Sequence, residues 1–148
     1  MLDNHQKNIT TFVHLSSFSR FIIPLGNFIG PIILWILHKD KSPFIDQHGK
    51  QIINFQMSIL LYTLVLGAIS LPFFAFTLFN GFDFSNVWHF PDFHFNFKKP
   101  SSFFYLTGGF VFFAVIAFII EVVLIVKASL AARDGNLYNY PFTINFFK

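Results

Sequence analysis

The chain has no cysteine. That excludes disulfides, thiolate metal sites and a cysteine nucleophile. Charge is also scarce: 10 Lys and Arg and 7 Asp and Glu in 148 residues, or 11%, where soluble domains carry about 25%. A domain this small cannot cover its surface in water with so few charges, so the composition reads as an integral membrane protein. No Gly/Pro/Ser-rich linker divides the chain, and its length fits one domain. The polar start, residues 1–8, has no basic n-region and no A-x-A site, so a removable signal peptide is not expected. The net charge of +3 is scattered near the ends of apolar runs instead of gathered on one face, which argues against a nucleic-acid partner. There is no phosphate-binding glycine loop, no G-x-S-x-G and no H-E-x-x-H. The sequence therefore reads as a non-enzyme, with no catalytic set, no cofactor and no metal site; His89, Asp92 and His94 form only a weak candidate set.

What is abundant is apolar and aromatic: 54% hydrophobic residues and 25 phenylalanines. Three apolar runs predict an all-α integral membrane fold with three transmembrane helices, over residues 20–37, 52–79 and 103–126, in a single membrane domain spanning 1–148. The first run, "FIIPLGNFIGPIILWIL", is about long enough to cross the hydrocarbon. Pro24 and Pro31 each remove a backbone donor and should kink it. The second is preceded by "SPFIDQHGKQ", a polar stretch fused to apolar residues without a break. Ser42 as N-cap and Pro43 at the first helical position explain it: the helix starts outside the hydrocarbon, passes Asp46, His48 and Lys50 at headgroup level, and enters near Ile52. The third runs on through "KASLAARDG" to a stop at Gly135.

Several residues are candidates for more than packing. Asp46 and His48 point to different faces of a helix, so helix entry is their plainer role. Phe44 with Asp46, His48 and Lys50 suits docking on another protein. Asn54 and Gln56 lie just inside the apolar run, where amides most often bond between helices. Glu121 is a carboxylate inside a span; its plain reading is an Arg- or His-paired structural acid, its functional one an ion or proton relay. Ala114, Ala117, Glu121, Leu124, Ala128 and Ala131 make a small-residue stripe for close helix approach, and Gly26 and Gly30 (G-x-x-x-G) offer it a partner face. The connector, residues 80–102, alternates Phe with polar residues and reads as extended chain on the extracytoplasmic side. The tail after Gly135 is expected at the interface or packed back on the helices. With three spans, Lys7, Arg20, Lys98 and Lys99 lie on one side and Lys39, Lys41, Lys50, Lys127, Arg133 and Lys148 on the other. The positive-inside rule then puts the N-terminus out, and the 38–50 loop and C-terminus in.

Two segments, "HLSSFSRFIIPLGNFIGPIILWILHKDKSPFIDQHGKQIINFQMSILLY" (14–62) and "KASLAARDGNLYNYPFTINFF" (127–147), resemble the small bacterial membrane proteins called Tic-twenty-like, a family of unknown function. The resemblance rests on His-Leu-Ser, the Pro/Gly pattern, Trp35, Ser-Pro-Phe-x-Asp-x-His, Asn54-Phe55-Gln56 and the late Tyr-Pro. That family commonly has Glu where Gln47 stands, and Arg around the Tyr-Pro where Asn139 and Asn145 stand. The resemblance implies a bacterial inner-membrane protein with a link to protein translocation. Taken together, the expectation is a subunit or accessory of a larger membrane complex, with membrane lipids and other membrane proteins as partners. The alternative is a small transporter or channel-like oligomer that uses Glu121 and the kinked first helix.

Overall fold

Leu25 has a left-handed backbone, φ 60°, and around it the first apolar run comes apart. In the computed structural model, which describes residues 2–81 and 100–148, helix α1 covers Asn4–Leu15. A 3₁₀ segment follows at Ser16–Phe21, and helix α2 begins only at Gly26, ending at His38. Pro24 lacks an N–H and disfavours helix at Ile23. The left-handed turn at Leu25 then sends the chain back. Ser19 Oγ donates to the Gly26 carbonyl at 2.6 Å and fastens the reversal.

The expected single kinked span is therefore a hairpin of two short helices. α2 has 13 residues, about 20 Å at 1.5 Å per residue, which is less than a bilayer core. Ile9 and Phe12 of α1 line one pocket with Leu34 and His38 of α2, as antiparallel packing requires. Gly26 and Gly30 serve this turn, seated on the 3₁₀ segment. A Cβ on Gly26 would overlap the Ser19 carbonyl, and one on Gly30 would lie 2.5 Å from the Ser16 oxygen.

Two helices among the described residues are long and apolar enough to cross a membrane, where the sequence predicted three spans. Helix α3, Pro43–Gly81, contains 39 residues, and α4 is Pro100–Asp134. Ser42 caps α3 as expected: its backbone is extended, its Oγ accepts from Phe44 N at 3.2 Å, and Pro43 is the first helical residue. The polar entrance and the apolar run form one helix. α4 ends at Gly135, φ +82°. Asn136 N donates to Ala131 O at 2.9 Å and Gly135 N to Ala132 O at 3.0 Å, the paired closure that a left-handed glycine allows. The most apolar window of each long helix is 0% and 11% buried. A core helix of a water-soluble protein would hide that surface.

The chain divides into two units. The first joins residues 1–62 to 119–148. It contains α1, α2, the first half of α3, the second half of α4 and the tail, around a core of Val13, Ile52, Ile53, Phe55, Ile125, Ala128 and Tyr140. α1 runs antiparallel to the end of α4. Thr11 Oγ1 reaches Ser129 O at 3.4 Å, and Lys7 and Leu2 lie against Gly135. The N-terminal helix and the C-terminal tail thus share one end of this unit, against the expectation that they lie on opposite sides; the hairpin accounts for the difference. The second unit, residues 63–118, holds the other halves of α3 and α4, with Phe74 and Phe110 in ring contact at 5.1 Å. The Phe-rich connector expected at 80–102 lies almost wholly outside the described residues.

Candidate functional site

The first unit buries an unusual amount of polarity. Thr10, His14, Ser17, Ser42, His48, Asn54, Gln56, Ser58, Glu121 and Ser129 are each 7% exposed or less. A buried polar group costs free energy unless it is hydrogen-bonded, and most of these are, in three groups.

The first group surrounds Glu121. Arg20, at the end of the 3₁₀ segment, donates from Nη1 to Glu121 Oε1 at 2.6 Å. Gln56 of α3 donates from Nε2 to the same oxygen at 3.3 Å, and Asn27 of α2 donates to Gln56 Oε1 at 2.9 Å. One acid thus ties α4 to the hairpin and to α3. Helical spacing places Gln56, Ile52 and Ile53 on the inward side of α3, and Glu121, Ile125 and Ala128 on that of α4. The stripe read from Glu121 through Ala128 is the buried face there, whereas Ala114 and Ala117 are exposed and line a groove within the second unit.

The second group is a chain of three rings. Tyr140 Oη and His14 Nδ1 are 2.9 Å apart; His14 Nε2 and His48 Nδ1 are 2.7 Å apart. One proton lies in each contact. Either Tyr140 donates to His14 and His14 to His48, or the whole order is reversed; both arrangements have neutral rings. His48 Nε2 has no hydrogen-bond partner of good geometry. Burial, with the neighbouring His48 adding to it, pushes the His14 pKa down to about 3. The Tyr140 hydroxyl is pushed up by burial, then by Tyr138 and Glu121. Phe55 stacks on Tyr140 at 4.1 Å, and Phe44 meets His48 edge-on at 4.5 Å.

The third group clamps the tail. Asn54 Oδ1 accepts from Phe146 N at 3.1 Å and Phe147 N at 2.9 Å, while its Nδ2 donates to Phe147 O at 2.9 Å. Ser58 Oγ accepts from Ile144 N at 2.8 Å, and Tyr62 donates to the Phe142 carbonyl at 2.8 Å. The tail is packed back on α3. At the rim, Trp35 Nε1 donates to Asp46 Oδ1 at 2.9 Å, and Lys50 pairs with Asp46 Oδ2 at 2.6 Å.

The residues singled out in the sequence therefore divide. Ser42, Phe44, His48, Asn54 and Gln56 turn inward, as does Ile45 at 0% exposure. Pro43 is exposed, and Asp46 and Lys50 are half-buried. The sequence reading missed His14, Arg20, Asn27 and Tyr140 as members of these groups. Their signal was present: a histidine and an arginine interrupting an apolar run need partners. Among the described residues no group of three or more His, Cys, Asp or Glu could hold a metal ion.

A family model described as the magnetosome magnetite crystal formation protein family matches residues 5–147. No curated protein and no solved structure matches the chain. The family match overturns the resemblance to the Tic-twenty-like proteins. That resemblance rested on two segments and left residues 63–126 unaccounted for, whereas the match runs through them. The implied link to protein translocation falls with it.

Proposed function

Because the chain belongs to the magnetosome magnetite crystal formation protein family, we propose that it is a two-span protein of the magnetosome membrane that assists crystal formation without catalysis, as an accessory of a larger membrane assembly. The family match carries the crystal-formation reading. Two long apolar helices with exposed faces support the membrane. The non-enzymatic reading is supported by where the polar groups go: Glu121 faces Arg20, and His14 lies between His48 and Tyr140, all inside the first unit. The transporter alternative draws less support, since its acid is tied to a cation and its kinked span is a short hairpin.

The hairpin also sharpens the topology. With two spans, Lys7, Lys39, Lys41, Lys50, Lys127, Arg133 and Lys148 fall at the end shared by both termini, and only Lys98 and Lys99 lie in the sequence joining the spans. Leaving aside Arg20, which pairs with Glu121, seven against two is a stronger bias than the six against four of three spans, and it favours both termini on the cytoplasmic face. The chain lacks cysteine, so single-cysteine variants give clean reporters. In sealed membrane vesicles prepared with the cytoplasmic face outward, an impermeant thiol reagent should label Asn136→Cys and spare Ser85→Cys; the reverse pattern overturns this orientation. Deleting the chain from its host should change the size or number of magnetite crystals seen by electron microscopy. Unchanged crystals would remove the functional reading.

A further inference from the structure

A concavity of about 430 Å³ opens between the first turns of α3 and the clamped tail. Its volume falls in the range of ligand pockets, roughly 300–1,000 Å³. Two ammonium groups line it, Lys50 and Lys148, together with the side-chain amides of Gln47, Asn139 and Asn145; among the described residues no carboxylate side chain does. Such a lining repels cations and offers donors to an anion. Lys50 shares its charge with Asp46 at 2.6 Å, but Asp46 also accepts from Trp35 and stands outside the pocket. Gln51 Nε2 donates to Asn139 Oδ1 at 2.9 Å, which occupies the Asn139 oxygen and leaves its amide N–H groups as the donors that residue offers. Lys148 is placed by its neighbour: Asn54 holds Phe147 by both backbone groups, so the lysine backbone next to it is fixed at the rim.

The depth of the pocket selects the anion. It spans residues 47–54 of α3, where the polar entrance gives way to Ile52 and Ile53. Leu137 and Phe147 supply apolar wall, at 57% and 45% exposure. Basic groups above apolar wall, at the level where a helix enters the bilayer, match a headgroup above its acyl chains. We propose that this pocket binds the phosphate of an acidic phospholipid headgroup, with Lys50 and Lys148 facing the charge and Asn139 and Asn145 donating to phosphate or glycerol oxygens. The proposal rests on the membrane reading. Resistance of the membrane-bound chain to alkaline carbonate extraction tests that reading separately, so the two can fail independently.

The direct test is native mass spectrometry of the full chain in neutral detergent, offered phosphatidylglycerol or phosphatidylcholine with identical acyl chains. Retention should favour phosphatidylglycerol, and Lys50→Gln and Lys148→Gln should each lower that preference about fivefold, the effect of one basic residue beside an anionic surface. Asn145→Leu should lower it without removing charge, whereas Lys127→Gln, exposed on α4, should not. Glycerol 3-phosphate should displace the lipid. Equal retention of both lipids, or an equal loss with Lys127→Gln, overturns the proposal. Protection by inorganic phosphate with no lipid preference would assign the site to free phosphate and overturn the lipid assignment. Circular dichroism of each variant confirms that it is folded.

Discussion

His14 provides a test of the buried ring chain through pH. The side chain is fully buried, and its pKa is pushed down to about 3, against about 6.5 for an imidazole in an unfolded chain. The folded protein therefore prefers the neutral ring, and between these two values the unfolded chain binds more protons. Stability from this group is fully present above pH 6.5 and is lost as pH falls toward 3. The slope is about 1.4 kcal/mol per pH unit. From pH 6.5 to 4.5 the loss from His14 is at most about 2–3 kcal/mol, because His48 and Tyr140 can adjust around the charge. Protonating His14 disturbs the contact in which it accepted, since both ring nitrogens then donate and the former donor there, Tyr140 or His48, must accept instead. The measurement is thermal unfolding of the detergent-solubilised chain by circular dichroism between pH 7.5 and 4.5. The wild type should melt progressively lower on acidification. His14→Gln, which keeps an amide donor and acceptor but does not titrate, should begin less stable and lose about one proton from the pH slope. Tyr140→Phe preserves the ring that stacks on Phe55 and removes only the hydroxyl, so it should cost about 1–3 kcal/mol for the stranded His14 nitrogen and keep most of the slope. A wild-type slope no steeper than that of His14→Gln would refute the reasoning.

Two further substitutions probe the packing. A Cβ on Gly49 would overlap the Trp35 indole, so Gly49→Ala should lower the melting temperature with a cost of about 1–3 kcal/mol; Gly67→Ala, whose Cβ meets nothing within 4 Å, should be neutral or stabilising through helix propensity. Glu121→Leu strands Arg20, whose side chain is 32% exposed, and should destabilise by about 1–3 kcal/mol, while Glu121→Leu with Arg20→Met should recover part of the loss in the same melts; full additivity would show that the pair does not couple.

The residues that define element ends could be read directly, because their reasons are local. Ser42 and Pro43 start α3, and Gly135 stops α4, through groups within a few positions of one another. Membrane composition was equally plain, since it needs only a count of charges. Glu121 announced that it needed a partner without saying which. The sequence alone left the first apolar run ambiguous. A largely apolar run of seventeen residues satisfies the length test for a span whether it crosses or turns back, and Pro24 is compatible with a kink as well as a break. The tertiary structure decided for the hairpin, through the left-handed Leu25, the Ser19 bond to Gly26 and the close seat of Gly26 and Gly30 on the 3₁₀ segment. That one decision moved α1 beside the end of α4 and brought both termini to the same end of the unit. The pairings followed from it. His14 meets a histidine 34 positions away and a tyrosine 126 away, and Arg20 meets an acid 101 away. No periodicity connects such residues; only the packing of four helical segments and the returned tail brings them together.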